Sequence, residues 1–210
     1  MLTPTPLAQL PPASARGQQT RDKIIQAAHR LFVEQGYHGT SMRRIASESG
    51  IALSSIYNHF PSKEALFSTV LDDYHPYHEI LLTLKAVEVE SVEDFVREGA
   101  ASMLTALERR PDFLNLMFVE IVEFKSQHIP QIFQKIFPQV LTLVQLFAGR
   151  QDTLRPIPIP HILRAFIGLF FSYYVTESLL GKQMPAGMKQ NAFEHFVDIY
   201  LHGIMADGAA

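Results

Sequence analysis

The chain has no cysteine among its 210 residues, which excludes a disulfide framework, a thiol nucleophile and a cysteine-ligated zinc. Long apolar runs are missing too. The most apolar stretch lies between Arg164 and Glu177, short of the roughly 20 residues a membrane span requires, so it reads as buried helix and no membrane partner is expected. The amino terminus has neither the basic flank nor the continuous apolar core of a secretory signal. Pro4, Pro6, Pro11 and Pro12 fall there instead, and residues 1–17 are expected to form a flexible tail. These absences are compatible with a cytoplasmic location, which is the expectation. Internal repeats and low-complexity segments are absent as well.

With 47% hydrophobic residues, the chain can bury a full core in one domain or in a small domain joined to a larger one. The formal net charge of −3 looks unsuited to a polyanionic partner until the chain is divided. Residues 1–63 hold seven Lys or Arg against three acids, whereas the remainder holds eleven against eighteen. A basic end joined to an acidic remainder suggests that one end meets phosphate and the other does not.

Prolines fall mostly between periodic segments, and the spacing predicts an all-α protein. Ile24, Ala28, Leu31 and Phe32 follow helical spacing over 20–35, with Gly36 as the stop. Thr40 or Ser41 can cap a short helix over 42–49 that ends at Gly50, and a third short helix follows over 53–60. Ser62 caps a fourth that starts at Lys63, and Pro76 predicts a kink or an end near 72–75. Ser91, three residues before Asp94, opens a fifth helix to about residue 109. Further helices are expected over 112–125, 131–149, 161–180 and 189–206, about nine in all.

Two short helices joined by a tight glycine-containing turn and packed on a longer one form a helix-turn-helix candidate, whose second helix enters the major groove of DNA. Ile51 and Ile56 would face the small core. Leu53, Ser54, Ser55, Tyr57, Asn58 and His59 are then left to the outside, a set able to bond phosphate and base edges.

Through Gly36 to Ala46 (GYHGTSMRRIA) and Gly50 to Leu66 (GIALSSIYNHFPSKEAL), the sequence resembles the TetR family of bacterial regulators. The resemblance covers roughly residues 18–67. It implies an amino-terminal three-helix DNA-binding domain, 18–65, and an antiparallel helical ligand-binding and dimerisation domain, 66–210. Position by position it implies that Thr40 and Arg43 meet phosphate or the groove edge, that Ser54 and Ser55 meet bases or phosphate, and that Tyr57, His59 and Lys63 anchor the third helix on the backbone. Two positions depart from the commonest pattern. Ala52 stands where a capping Ser is frequent, and Leu53 replaces a position that is often polar, which favours contact with a thymine methyl. Tyr57 could instead be a lid over the core, Arg44 reads as a solvated charge, and a cation at the start of a helix, as Lys63 is, is unfavourable without a phosphate partner.

The implied function is a ligand-responsive repressor, a homodimer on palindromic double-stranded operator DNA, released by a small, largely apolar effector. Beyond Phe95 the chain is rich in Phe and Met, as an apolar ligand pocket requires. Met117, Glu120, Phe124, His128, Phe170 and Tyr173 are the candidate ligand contacts, with Glu123 and Gln127 as further polar candidates. Phe166, Leu169, Tyr174, Phe193, Phe196 and Tyr200 are candidates for the dimer interface, where Gly168 would permit close helix approach. No catalytic residue, cofactor or metal is expected. A metal site at His75, His78 and Glu79 is the enzyme-class rival, though metals need more ligands than this. The other alternative is a helical ligand-binding or adaptor protein that has lost sequence-specific DNA binding.

Overall fold

In a computed structural model, residues 13–86, 91–148 and 153–205 are described, with side chains for 15–85, 91–142 and 153–205. Eleven helices and no strand occur among the described residues. They form two compact units. The first takes the residues up to Tyr74 together with Leu114–His128, and the second takes His75–Phe113 and everything from Ile129 onward. The first therefore gathers 66–74 and 114–128 to the segment expected to stand alone over 18–65.

The first unit is built on α1 (Ala13–Gly39), against which α2 (Met42–Ser49), α3 (Leu53–His59) and α4 (Lys63–Tyr74) pack. Helix α1 starts within the expected tail. Residues 13–19 are mostly good helix formers, and Thr20 Oγ1 donates to the Arg16 carbonyl at 2.9 Å while Gln18 Nε2 donates to Asp22 Oδ1 at 2.7 Å. The remaining tail, 1–12, lies outside the described residues. At its other end the helical backbone breaks at Gly36 (φ 70, ψ 174), where the sequence places the stop. Ile24, Ala28, Phe32, Ile45, Ile56, Leu66, Phe67 and Val70 are fully buried. Phe32 and Phe67 meet edge to face at 5.3 Å, and His29 stacks flat on Tyr74 at 3.6 Å. Helix α7 (Phe113–Glu123) contributes all but its first residue to this unit.

Helix α4 ends before Pro76, and α5 (Tyr77–Ala86) begins after it. Pro76 lacks the N–H that a continuous helix would require, and His75 Nδ1 accepts the Tyr77 N–H at 3.1 Å across the break. In the second unit α6 (Val92–Glu108) packs on α5, α9 (Ile159–Leu180) and α11 (Ala192–Ile204), and α8 (Ile129–Ala148) packs on α5 and α9. Ser91 caps α6 as its spacing predicts, accepting the Asp94 N–H at 3.0 Å and donating to Asp94 Oδ2 at 2.6 Å. Phe95, Phe166, Phe170 and Tyr200 lie in the core. A one-turn helix, α10 (Ala186–Lys189), was not expected. Helix α9 is long and apolar enough for a membrane span by length and composition, yet Ile162, Phe166, Phe170 and Tyr174 face the core of this unit.

Candidate nucleic-acid interface

The helix-turn-helix is assembled by local chemistry. Ser41, in extended backbone, is the N-cap of α2, and its hydroxyl accepts the Arg44 N–H at 3.2 Å. Met42 and Ile45 turn inward, and Gly50 ends the helix in the left-handed region (φ 67), where a Cβ is disfavoured. The Ile51 N–H then donates to the Ala46 carbonyl at 3.1 Å, closing the turn. Helix α3 starts at Leu53 without a side-chain cap, because Ala52 has no acceptor to offer. Ile56 is fully buried and Phe60 nearly so, which fixes how α3 is rotated. Residues three and four apart share a helix face, so Ser54, Tyr57 and Asn58 stand together on the outside.

Arg43, Ser54, Tyr57 and Asn58 are exposed, and Leu53, Ser55 and His59 are half-buried at the flanks of that face. Tyr57 keeps 48% of its surface in solvent, which removes the alternative of a buried lid. Arg30 and Glu48 pair at 3.1 Å between α1 and α2, so that acid is neutralised locally.

Two expected contacts have a different place. Thr40 is 1% exposed. Its hydroxyl is directed at the Leu31 and Gly36 carbonyls at 3.0 and 2.9 Å, so it ties the α1–α2 turn together instead of facing a duplex. Lys63 is half-buried and donates to the Tyr37 and Thr40 carbonyls at 2.7 and 2.8 Å, with its ammonium 4.0 Å from the centre of the Tyr37 ring. Burial lowers its pKa below the ordinary 10.5, and the nearby Glu123 carboxylate opposes that shift. An ammonium has three N–H donors, so the two carbonyls leave one for a phosphate.

Glu123 completes this clamp. Its carboxylate accepts the N–H groups of Tyr37 at 3.2 Å and His38 at 3.1 Å, just past the Gly36 break. Burial, with the charges of Glu64 and Glu123, raises the Tyr37 phenol above its ordinary pKa. Glu123 lies 86 residues from Tyr37 in sequence, and no local pattern links them.

The six candidate ligand contacts do not converge. Glu120, Phe124 and His128 belong to the first unit, where Phe124 stacks on Phe67 at 4.7 Å and meets Tyr37 at 4.5 Å. Glu120 and His128 pair with each other in the interior. Met117 is half-buried on α7. Phe170 and Tyr173 lie on α9 in the second unit, packed against Phe193 and Phe196 of α11. None of the six lines the apolar cavity of about 170 Å³ or the more open groove of about 450 Å³ in the second unit.

Among the candidate dimer contacts, Phe166, Tyr174 and Tyr200 are core residues of a single chain. The Tyr174 and Tyr200 hydroxyls donate to the Leu107 and Ile162 carbonyls at 3.4 and 2.8 Å. Phe193 and Phe196 are half-buried against Tyr173. Leu169 lines the open groove with Ala165, Ile199 and Gly203. Of the histidines considered as a metal rival, the His75 ring packs edge to face on Phe113 at 4.9 Å and the His78 ring lies 3.8 Å from that of Tyr77; no group of three His, Asp or Glu placed to hold a metal occurs among the described residues.

The model of the bacterial regulatory proteins of the tetR family matches residues 24–70, from α1 through most of α4. Over 190 residues, covering 90% of this chain and 98% of the relative, the sequence is 23% identical to the HTH-type transcriptional regulator YvkB of Bacillus subtilis. Two solved structures share the fold. A TetR family transcription regulator from Marinobacter aquaeolei gives a TM-score of 0.68 at 15% identity, covering 91% of this chain and 98% of the other. NalD from Pseudomonas aeruginosa, the secondary repressor of the MexAB-OprM multidrug efflux pump, gives 0.62 at 21% identity, covering 91% and 99%.

Proposed function

The chain belongs to the TetR family of bacterial regulatory proteins and is a DNA-binding transcriptional regulator, and from that premise we propose that it works as a homodimeric, cytoplasmic repressor that leaves a palindromic operator when a small apolar effector binds. The observation that carries this reading is the outward face of α3. Ser54, Tyr57 and Asn58 are held to solvent by the burial of Ile56 and Phe60. Such groups bond base edges and phosphates, with Arg43 on α2 adding a phosphate contact. Leu53, Ser55 and His59 flank the same face, and Lys63 offers its remaining N–H at the edge.

One helix-turn-helix makes few contacts. Two copies related by a dyad read half-sites about one helical turn, roughly 34 Å, apart. The α9–α11 surface around the open groove is assigned to pairing. Its exposed apolar residues Ala165 and Ile199, with Leu169 and the small Gly203 between them, allow helices of a second copy to approach closely. Operator contact is assigned to 18–65, and sensing and pairing to 66–210, with 66–74 and 114–128 folded onto the first of these.

The experiment is a selection of genomic DNA fragments with purified protein, then titration on the best site at two salt concentrations. A palindromic site bound by a dimer, with affinity that falls steeply with salt, is the expected result. Binding without sequence preference would instead support an adaptor that has lost its operator.

A further inference from the structure

We propose that the apolar cavity of the second unit binds one neutral hydrocarbon molecule of about the size of benzene or toluene, and that it rejects charged molecules of the same shape. As the identity of the effector, this rests on the regulator reading above; as a binding site it stands on its own walls. Four helices contribute, among them Leu84 of α5, Phe95 and Met103 of α6, Val140 of α8 and Phe166 of α9. No polar atom is exposed on the wall. His75 and Tyr77 are the two liners that carry polar side-chain atoms, and none of these atoms is exposed on the wall; His75 Nδ1 accepts the Tyr77 N–H. A carboxylate or ammonium entering this space would lose its water and gain no partner.

Size narrows the class further. At about 170 Å³ the space is below the roughly 300–1,000 Å³ of pockets for drug-sized ligands. It matches the roughly 150 Å³ apolar cavity that stays dry and takes up benzene. Interiors are otherwise close-packed, so a space of this size between four helices departs from ordinary packing. Gly99 lies directly behind two of the walls. This glycine sits inside α6, where alanine would favour the helix, and a Cβ there would lie 2.9 Å from Leu84 Cδ2 and 3.5 Å from Phe166 Cζ. Both neighbours are cavity walls, so a methyl group at Gly99 forces Leu84 to shift and alters the wall. His75 and Tyr77 also flank Pro76 at the start of α5.

The test is titration of the full chain, without DNA, by toluene and by benzoate, followed by NMR or calorimetry. Toluene binds saturably at one per chain and benzoate at least 100-fold more weakly. Gly99→Ala, which forces the Leu84 wall to shift, and Val140→Phe, which fills the space, each weaken toluene by at least 10-fold while the circular dichroism of α-helix is retained. Failure of toluene to saturate the wild-type chain, equal binding of benzoate, or unchanged toluene affinity in both variants overturns the assignment. Operator affinity is measured separately on the selected DNA site. Toluene bound in the cavity with operator affinity unchanged supports the site and counts against release by this ligand. Intact operator binding with no toluene uptake overturns the site and leaves the regulator reading standing.

Discussion

Glu120 and His128 form a buried pair in which one carboxylate accepts both the His128 backbone N–H, at 2.7 Å, and a bond from its ring Nδ1, at 2.8 Å. Glu120 has no exposed surface and His128 has 4%. The pair closes a turn after α7 that is costly in itself, since Lys125 and Ser126 both adopt positive φ (53 and 63). The Glu120 carbonyl also accepts the Phe124 and Ser126 N–H groups, so a single residue organises the turn with both its main chain and its side chain. This turn sets Phe124 against Phe67 and Tyr37, and so ties the end of α7 to the helices that carry the helix-turn-helix.

His128→Ala removes the ring's bond and leaves the buried Glu120 side chain with only the backbone N–H of residue 128 as partner, so it is expected to lower unfolding stability by about 1–3 kcal/mol. The paired replacement of Glu120→Leu with His128→Phe costs less than the sum of the single changes, because neither partner is left buried without the other. Urea denaturation of the four proteins measures both; an unaltered midpoint for His128→Ala would show that the turn does not depend on the pair.

Gly36 and Gly50 share a left-handed backbone, with φ 70 and 67, but have different neighbours. A Cβ at Gly50 meets nothing within 4 Å, whereas at Gly36 it would lie 3.1 Å from Glu123 Oε1. Gly50→Ala should therefore cost about 1–2 kcal/mol of backbone strain. Gly36→Ala should cost more, since it also disturbs the carboxylate that holds the Tyr37 and His38 N–H groups. Equal losses in thermal denaturation would show that the Glu123 contact carries no weight.

The parts of the fold that were legible in the sequence are those whose causes are local. Ser41, Ser62 and Ser91 each sit three residues before the N–H they accept, Gly50 marks its own turn, and Pro76 marks its own break. The outward face of α3 followed from the apolar residues next to it. Contacts between distant segments were not legible: Glu123 and Tyr37 are joined only by the folded chain, and neither residue type marks the other. The interface expectation for Phe166, Tyr174 and Tyr200 failed for a related reason. Helix α9 is apolar on nearly every side, so its pattern does not distinguish residues that meet α6 and α11 of the same chain from those open to a second copy. The motif matches Thr40 and Lys63 as DNA contacts; the carbonyl partners of Thr40 become visible only where the chain turns back on α1, and those of Lys63 only once α4 is placed beside that turn.

Alkaline stability should be limited in part by Tyr200. Burial pushes its phenol well above the ordinary value of 10.0, so the folded chain keeps a proton that the unfolded chain releases. The stabilising contribution is complete below pH 10 and declines as pH rises above it. Tyr200→Phe loses the hydrogen bond to the Ile162 carbonyl, at a cost of about 1 kcal/mol near neutrality, and shows a shallower decline above pH 10. Chemical denaturation at several pH values between neutrality and strong alkali reads both effects, and parallel curves for the two proteins would contradict the titration argument.

Arg43 and Lys63, alike as cations beside the same turn, should separate when each is replaced by alanine. Arg43 is exposed on α2, so its loss should leave the free protein's stability within about 0.5 kcal/mol of wild type. Operator and non-operator DNA should both bind more weakly, with the salt dependence of log affinity reduced by about one. Lys63 bonds two carbonyls and covers the Tyr37 ring, so its loss should cost about 1–3 kcal/mol in the absence of DNA. Its effect on the operator would follow from a loosened α1–α2 turn as well as from a lost phosphate contact. Denaturation without DNA separates the two residues before any binding is measured: a Lys63→Ala midpoint equal to that of Arg43→Ala would mean that Lys63 acts on the duplex alone.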